Sequence, residues 1–113
     1  MENIELLKLV SQEEDSLFEM IGASLSQEEI GLLPKSRKSL IRIGKNWWEN
    51  NKVKILSLIC KNRASLRLDE AFNKDEVQLI LAIADLIAGF IIGVSPFVVA
   101  SLVIKLGIDR ICQ

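Results

Sequence analysis

The chain has 113 residues, of which 50% are hydrophobic, a formal net charge of −1 and no histidine. That length fits one all-helical domain over 1–113, and an apolar half with only two prolines excludes a disordered chain. The missing imidazole excludes Ser-His-Asp and Cys-His catalysis, most zinc sites and a histidine pH switch.

The two cysteines, Cys60 and Cys112, are far apart and form neither a CxxC motif nor a metal-ligand cluster. The start, MENIELLKLVSQEED, is acidic and unlike a signal peptide. A cytoplasmic chain with both thiols reduced is therefore expected, with Cys60 packing as a small hydrophobe.

Charge is segregated. Residues 1–34 carry Glu2, Glu5, Glu13, Glu14, Asp15, Glu19, Glu28 and Glu29 against Lys8 alone. Residues 35–67 carry Lys35, Arg37, Lys38, Arg42, Lys45, Lys52, Lys54, Lys61, Arg63 and Arg67 against Glu49 alone. The rest is mildly acidic. Such a layout suits association steered by charge.

In chain order, Ile4, Leu6, Leu7 and Val10 suggest a short amphipathic helix. SQEE then occurs twice, at Ser11–Glu14 and Ser26–Glu29. Each reads as a capping box, in which serine accepts from the backbone N–H three residues on and glutamate reaches back. One helix is expected from about Gln12 to Ile21, stopping near Gly22, and another over 27–33, stopping before Pro34. From Ser36 to Trp48, Leu40, Ile41, Gly44, Trp47 and Trp48 share a face, while Lys38, Arg42 and Lys45 share another. Glu49-Asn50-Asn51 is read as a break, followed by a helix over 52–61. Residues 62–72 read as irregular, with one helical turn over 69–72.

Asn73 is a candidate cap for a helix over about 74–92, and Ser95-Pro96 for a last helix over about 96–111. The run Leu86–Ile104 has nineteen residues and no charge. It is almost long enough to cross a bilayer, for which about 20 residues are needed. Gly93-Val94-Ser95-Pro96 argues instead for a stop and a restart, making a central hydrophobic hairpin with antiparallel arms. Asp85 and Lys105 then lie about equally far from the turn and are expected to meet as a buried ion pair. The fold class is all-α, a compact bundle of about six helices around this hairpin.

The functional expectation is a non-catalytic protein-protein interaction or regulatory adaptor module, binding a protein partner or itself. The partner-binding candidates are Lys35, Arg37, Lys38, Arg42, Lys45, Glu13, Glu14 and Asp15. No motif calls for a cofactor, a metal or a small-molecule substrate, and no enzyme is expected. The alternative is a membrane-disturbing protein that inserts the 77–106 hairpin; flanking Lys61, Arg63 and Arg67 would suit an anionic leaflet. Third comes single-stranded nucleic acid held by the cations with Trp47 and Trp48. A pI near 5.5 weighs against that reading.

Overall fold

The computed structural model describes residues 3–26, 36–62 and 76–107. Among them are five helices and no strand: α1 (Asn3–Ser11), α2 (Glu14–Ser26), α3 (Arg37–Lys61), α4 (Glu76–Ile87) and α5 (Pro96–Leu106). The all-helical expectation holds. The expected helix over 27–33 and the turn over 69–72 lie outside the described residues.

Helix starts follow local chemistry at two of the expected places. Ser36 caps α3, its backbone extended and its Oγ accepting the Ser39 N–H at 3.2 Å. Pro96 opens α5 in the first helical turn, where its missing N–H costs nothing. Ser95 stands at the cap position, yet its side chain makes no capping bond.

The first SQEE does not form its box. Ser11 closes α1 instead, its hydroxyl donating to the Lys8 carbonyl at 2.7 Å. The Leu17 N–H donates to the Glu13 carbonyl at 3.1 Å, so α2 starts at Glu14. That helix also runs through Gly22 rather than stopping there.

The expected break at Glu49-Asn50-Asn51 is absent, and two anticipated helices are one continuous α3 of 25 residues. Gly44, Trp48, Ile55 and Ile59 are buried along one stripe of it. Asn51 fits inside because its side-chain amide donates to the Trp47 carbonyl at 2.7 Å. Tertiary burial on both sides outweighs the weak helix propensity of asparagine. The helix ends at Asn62, whose side-chain amide donates to the Leu58 carbonyl at 2.9 Å.

α4 ends at Ile87, earlier than the expected 92, and the chain then turns through residues 88–95. The Phe90 N–H donates to the Ile87 carbonyl at 2.9 Å, which tightens the last turn. Gly93 takes φ +81, a value that a residue with a Cβ rarely adopts. The connection is therefore longer than the tight Gly93–Pro96 turn that was anticipated. α5 stops at Leu106, where Gly107 has φ +89.

The middle of the molecule is α5. Six successive residues, Val98, Val99, Ala100, Ser101, Leu102 and Val103, are buried. α5 packs on α1, α2 and α4, while α3 packs on α2 and α4. Leu6, Leu17, Ile21, Ile59, Ile80, Ile83 and Ile87 complete the core. Each such side chain stabilises the fold by roughly 1.5–3 kcal/mol of apolar transfer. Buried Ser101 donates to the Phe97 carbonyl at 2.9 Å and so carries no orphan polar group into the core. The Cα radius of gyration is 14.1 Å, close to the roughly 13 Å of a well-packed chain this long.

Two expectations fail here. Asp85 and Lys105 are both exposed, and no ion pair joins them among the described residues. The face of α4 that buries Ile80, Ile83, Ala84 and Ile87 excludes a side chain at 85 from the core. Cys60 is not a reduced small hydrophobe: it is half-buried and disulfide-bonded. The only other cysteine in the sequence is Cys112, outside the described residues.

Candidate interaction surfaces

The basic and acidic segments meet within the chain, along the seam between α2 and α3. Their approach is close because each helix contributes a glycine. A Cβ on Gly22 would lie 1.9 Å from the Leu40 carbonyl oxygen, and one on Gly44 2.0 Å from that of Phe18. The contacts are reciprocal, with Phe18 and Gly22 one helical turn apart on α2, and Leu40 and Gly44 one turn apart on α3. As the chain rises along α2 it descends along α3.

This approach brings two of the candidate cations to acidic residues of α2. Arg37 donates through Nε to Glu19 Oε1 at 3.1 Å and through Nη2 to Ser16 Oγ at 3.4 Å. Lys45 Nζ stands 3.6 Å from Asp15 Oδ1 and 5.7 Å from the centre of the Phe18 ring. Both pairs are substantially exposed, so each is worth roughly 0–1 kcal/mol. Their consequence for function is that Arg37, Lys45 and Asp15 already have partners within the chain.

Lys38 and Arg42 do not. Both are exposed, one turn apart on α3, with no counter-ion among the described residues. Glu13 and Glu14, beside the start of α2, are likewise exposed and have no ion pair among the described residues. Lys35 lies outside the described residues. Of the eight residues singled out in the sequence, four are thus open to a partner and three are engaged internally.

The tryptophans sit inward. Trp48 is 6% exposed in the core, and Trp47 is half-buried against it. Trp48 therefore offers no free ring face of the kind on which successive bases stack.

A groove that sequence reasoning missed runs along the outer side of α4 to the start of α5. It has a volume of about 520 Å³ and is lined by Gln78, Leu81, Ala82, Ala84, Asp85, Ala88, Pro96 and Phe97. Gln78 and Asp85 share a stripe, as their spacing of seven implies. They mark the solvent side of α4 rather than a polar seam inside the hairpin. The small alanines leave the room, and only the packing of α5 shows which side of α4 stays open.

The connection from α4 to α5 carries a second exposed apolar feature. Phe90 is 51% exposed and Ile92 91% exposed. Lys54 of α3 holds its ammonium 5.8 Å from the centre of the Phe90 ring. The helices on either side bury most of their large apolar side chains in the core, with Leu81 on the outer side of α4 left exposed. No helix among the described residues is long and apolar enough to cross a membrane. Among the same residues, no group of carboxylates and cysteine could hold a metal ion.

Compared with family models, curated proteins and solved structures, the chain matches none.

Proposed function

We propose that this chain is a non-catalytic interaction module whose docking face is the outer side of α3, centred on Lys38 and Arg42, with Glu13 and Glu14 at the start of α2 as an oppositely charged counterpart. The observation that carries this reading is a contrast between neighbours. Arg37 and Lys45 are paired with α2, whereas Lys38 and Arg42 are exposed and have no counter-ion among the described residues. A second copy of the chain offers the complementary charge in Glu13 and Glu14, and so does any partner with an acidic face. Attraction of this kind speeds encounter and weakens as salt rises, because the screening length falls from about 10 Å at 0.1 M to about 3 Å at 1 M.

Two reversals separate docking from folding. Lys38→Glu with Arg42→Glu is expected to leave stability within about 0.5 kcal/mol, since neither exposed side chain has an ion-pair partner among the described residues. In sedimentation the wild-type chain is expected to self-associate in a salt-sensitive way, and the double reversal should abolish that association. Arg37→Glu places like charge beside Glu19 and is expected to lower stability by about 1 kcal/mol. Self-association that ignores both ionic strength and the Lys38/Arg42 reversal would overturn the proposal.

The single-strand reading draws no support from the inward tryptophans. A cytoplasmic setting would place the Cys60 disulfide in a reducing medium, where such bonds are rare. The thiol state is therefore the measurement that discriminates between compartments.

A further inference from the structure

We infer that the α4–α5 connection, residues 88–95, is a shallow membrane-docking tip that places Phe90 and Ile92 at the headgroup boundary of an anionic bilayer, with Lys54 on the lipid phosphates. This surface is distinct from the charged face of α3 near Lys38 and Arg42, and it does not depend on that assignment.

Four observations converge on it. The first is exposure: Ile92 is 91% and Phe90 51% open to solvent, although both belong to the most apolar stretch of the chain. Large apolar side chains left out of the core beside one another mark a contact surface. The second is charge. Residues 86–104 contain no carboxylate to repel a lipid phosphate, and the charged group in contact with the loop is a cation, Lys54, 5.8 Å from the centre of the Phe90 ring. An aromatic ring with an ammonium at its face suits the membrane interface, where the ring sits at headgroup level and the amine reaches a phosphate.

The third is backbone shape. Gly89 has nothing within 4 Å of where a Cβ would stand, and Gly93 takes φ +81. The loop between them carries its bulk outward, at Phe90 and Ile92, while Ile91 and Val94 point into the core. The fourth is depth. No described helix is long and apolar enough to cross a membrane, and α4 and α5 bury most of their large apolar side chains in the core. The loop carries Ile92, the most exposed large apolar side chain among the described residues, so contact at this tip reaches the headgroup and acyl boundary. One apolar insertion alone binds marginally, and a cation beside it supplies the second attraction that reversible anchoring needs.

A second copy of the chain is the competing occupant of the same apolar pair. It offers Lys54 carboxylates at Glu13 and Glu14, which the proposed docking face already uses, whereas an anionic bilayer surrounds the whole tip with phosphate.

The test is flotation of the full chain with vesicles of phosphatidylcholine alone and of equimolar phosphatidylcholine and phosphatidylserine. Wild type is expected to float with the mixed vesicles and only weakly with the neutral ones. Ile92→Ser and Phe90→Ser should each lower partitioning about tenfold, as loss of a large apolar contact implies. Lys54→Gln should lower binding to the mixed vesicles about fivefold and leave the neutral ones unchanged. Because Ile92 is almost wholly exposed, its replacement leaves the helical circular dichroism intact, and Ile92→Asn serves as the check. Failure of wild type to float with the mixed vesicles overturns the inference. So does flotation that is indifferent to Ile92, Phe90 and Lys54. Loss of self-association in Ile92→Ser without any vesicle binding would assign the tip to a second copy and overturn it equally.

Discussion

Replacing Gly44 with alanine is expected to destabilise the fold, although the same change in an exposed helix would gain about 1 kcal/mol of propensity. The added Cβ would stand 2.0 Å from the Phe18 carbonyl oxygen and 2.7 Å from its carbon. These are backbone atoms, which cannot rotate away as a side chain would. α2 and α3 must move apart, and contacts along the whole seam loosen with them. A net loss of about 1–3 kcal/mol follows, with valine worse than alanine. Gly22→Ala meets the Leu40 carbonyl in the same way, at 1.9 Å. Because both substitutions widen one interface, the double variant should cost less than the two losses added together. Gly89→Ala is the internal control, since nothing lies within 4 Å of its Cβ; its effect should stay within about 0.5 kcal/mol. Urea denaturation followed by circular dichroism measures all four variants. A Gly44→Ala protein as stable as wild type would mean that the two helices do not approach this closely.

Breaking the disulfide at Cys60 is the other large effect. Cys60 lies one residue from the end of α3 and is disulfide-bonded; the only other cysteine in the sequence, Cys112, is far along the chain. Such a cross-link removes conformations from the unfolded ensemble and contributes typically about 2–4 kcal/mol. Reduction, or Cys60→Ser, should therefore lower the melting temperature by roughly 10 °C for a domain of this size. Reductant should have no further effect on the Cys60→Ser variant. Thiol titration of the denatured, unreduced chain should find no free thiol. Two free thiols per chain would remove the cross-link and restore the reduced cysteines that spacing alone suggested. The result also bears on where the protein works, since a bond that persists needs an oxidising compartment.

The two effects act on the same part of the fold from opposite ends. The glycine seam sets how α2 lies on α3, and with it which cations remain free. Widening that seam would release Arg37 and Lys45 from Glu19 and Asp15 and blur the contrast on which the docking face depends. A Gly44 variant should accordingly change the salt dependence of association as well as stability, whereas Gly89→Ala should change neither.

The sequence by itself determined the helical class and the features that rest on local chemistry. Ser36 starts α3 because a serine hydroxyl can hold a free N–H within its own turn, and Pro96 starts α5 because its fixed φ already suits a helix. The amphipathic α1 is local in the same sense. Features that turn on which surfaces meet were decided only in three dimensions. Gly22 has the sequence signature of a helix stop, yet it lies inside α2 because its missing Cβ admits the Leu40 carbonyl. Glu49-Asn50-Asn51 looks like a break, yet burial of Trp48 and Ile55 carries α3 through it. Equal distance from a turn suggested that Asp85 and Lys105 would pair, but pairing also requires the two helices to be rotated towards each other on those faces. The charge segregation was plain in the sequence; which cations it consumes depends on a close approach between helices that one-dimensional spacing does not encode. Capping and backbone preferences act over a few residues, whereas the choice between an internal and an external partner for a charge is a property of packed surfaces.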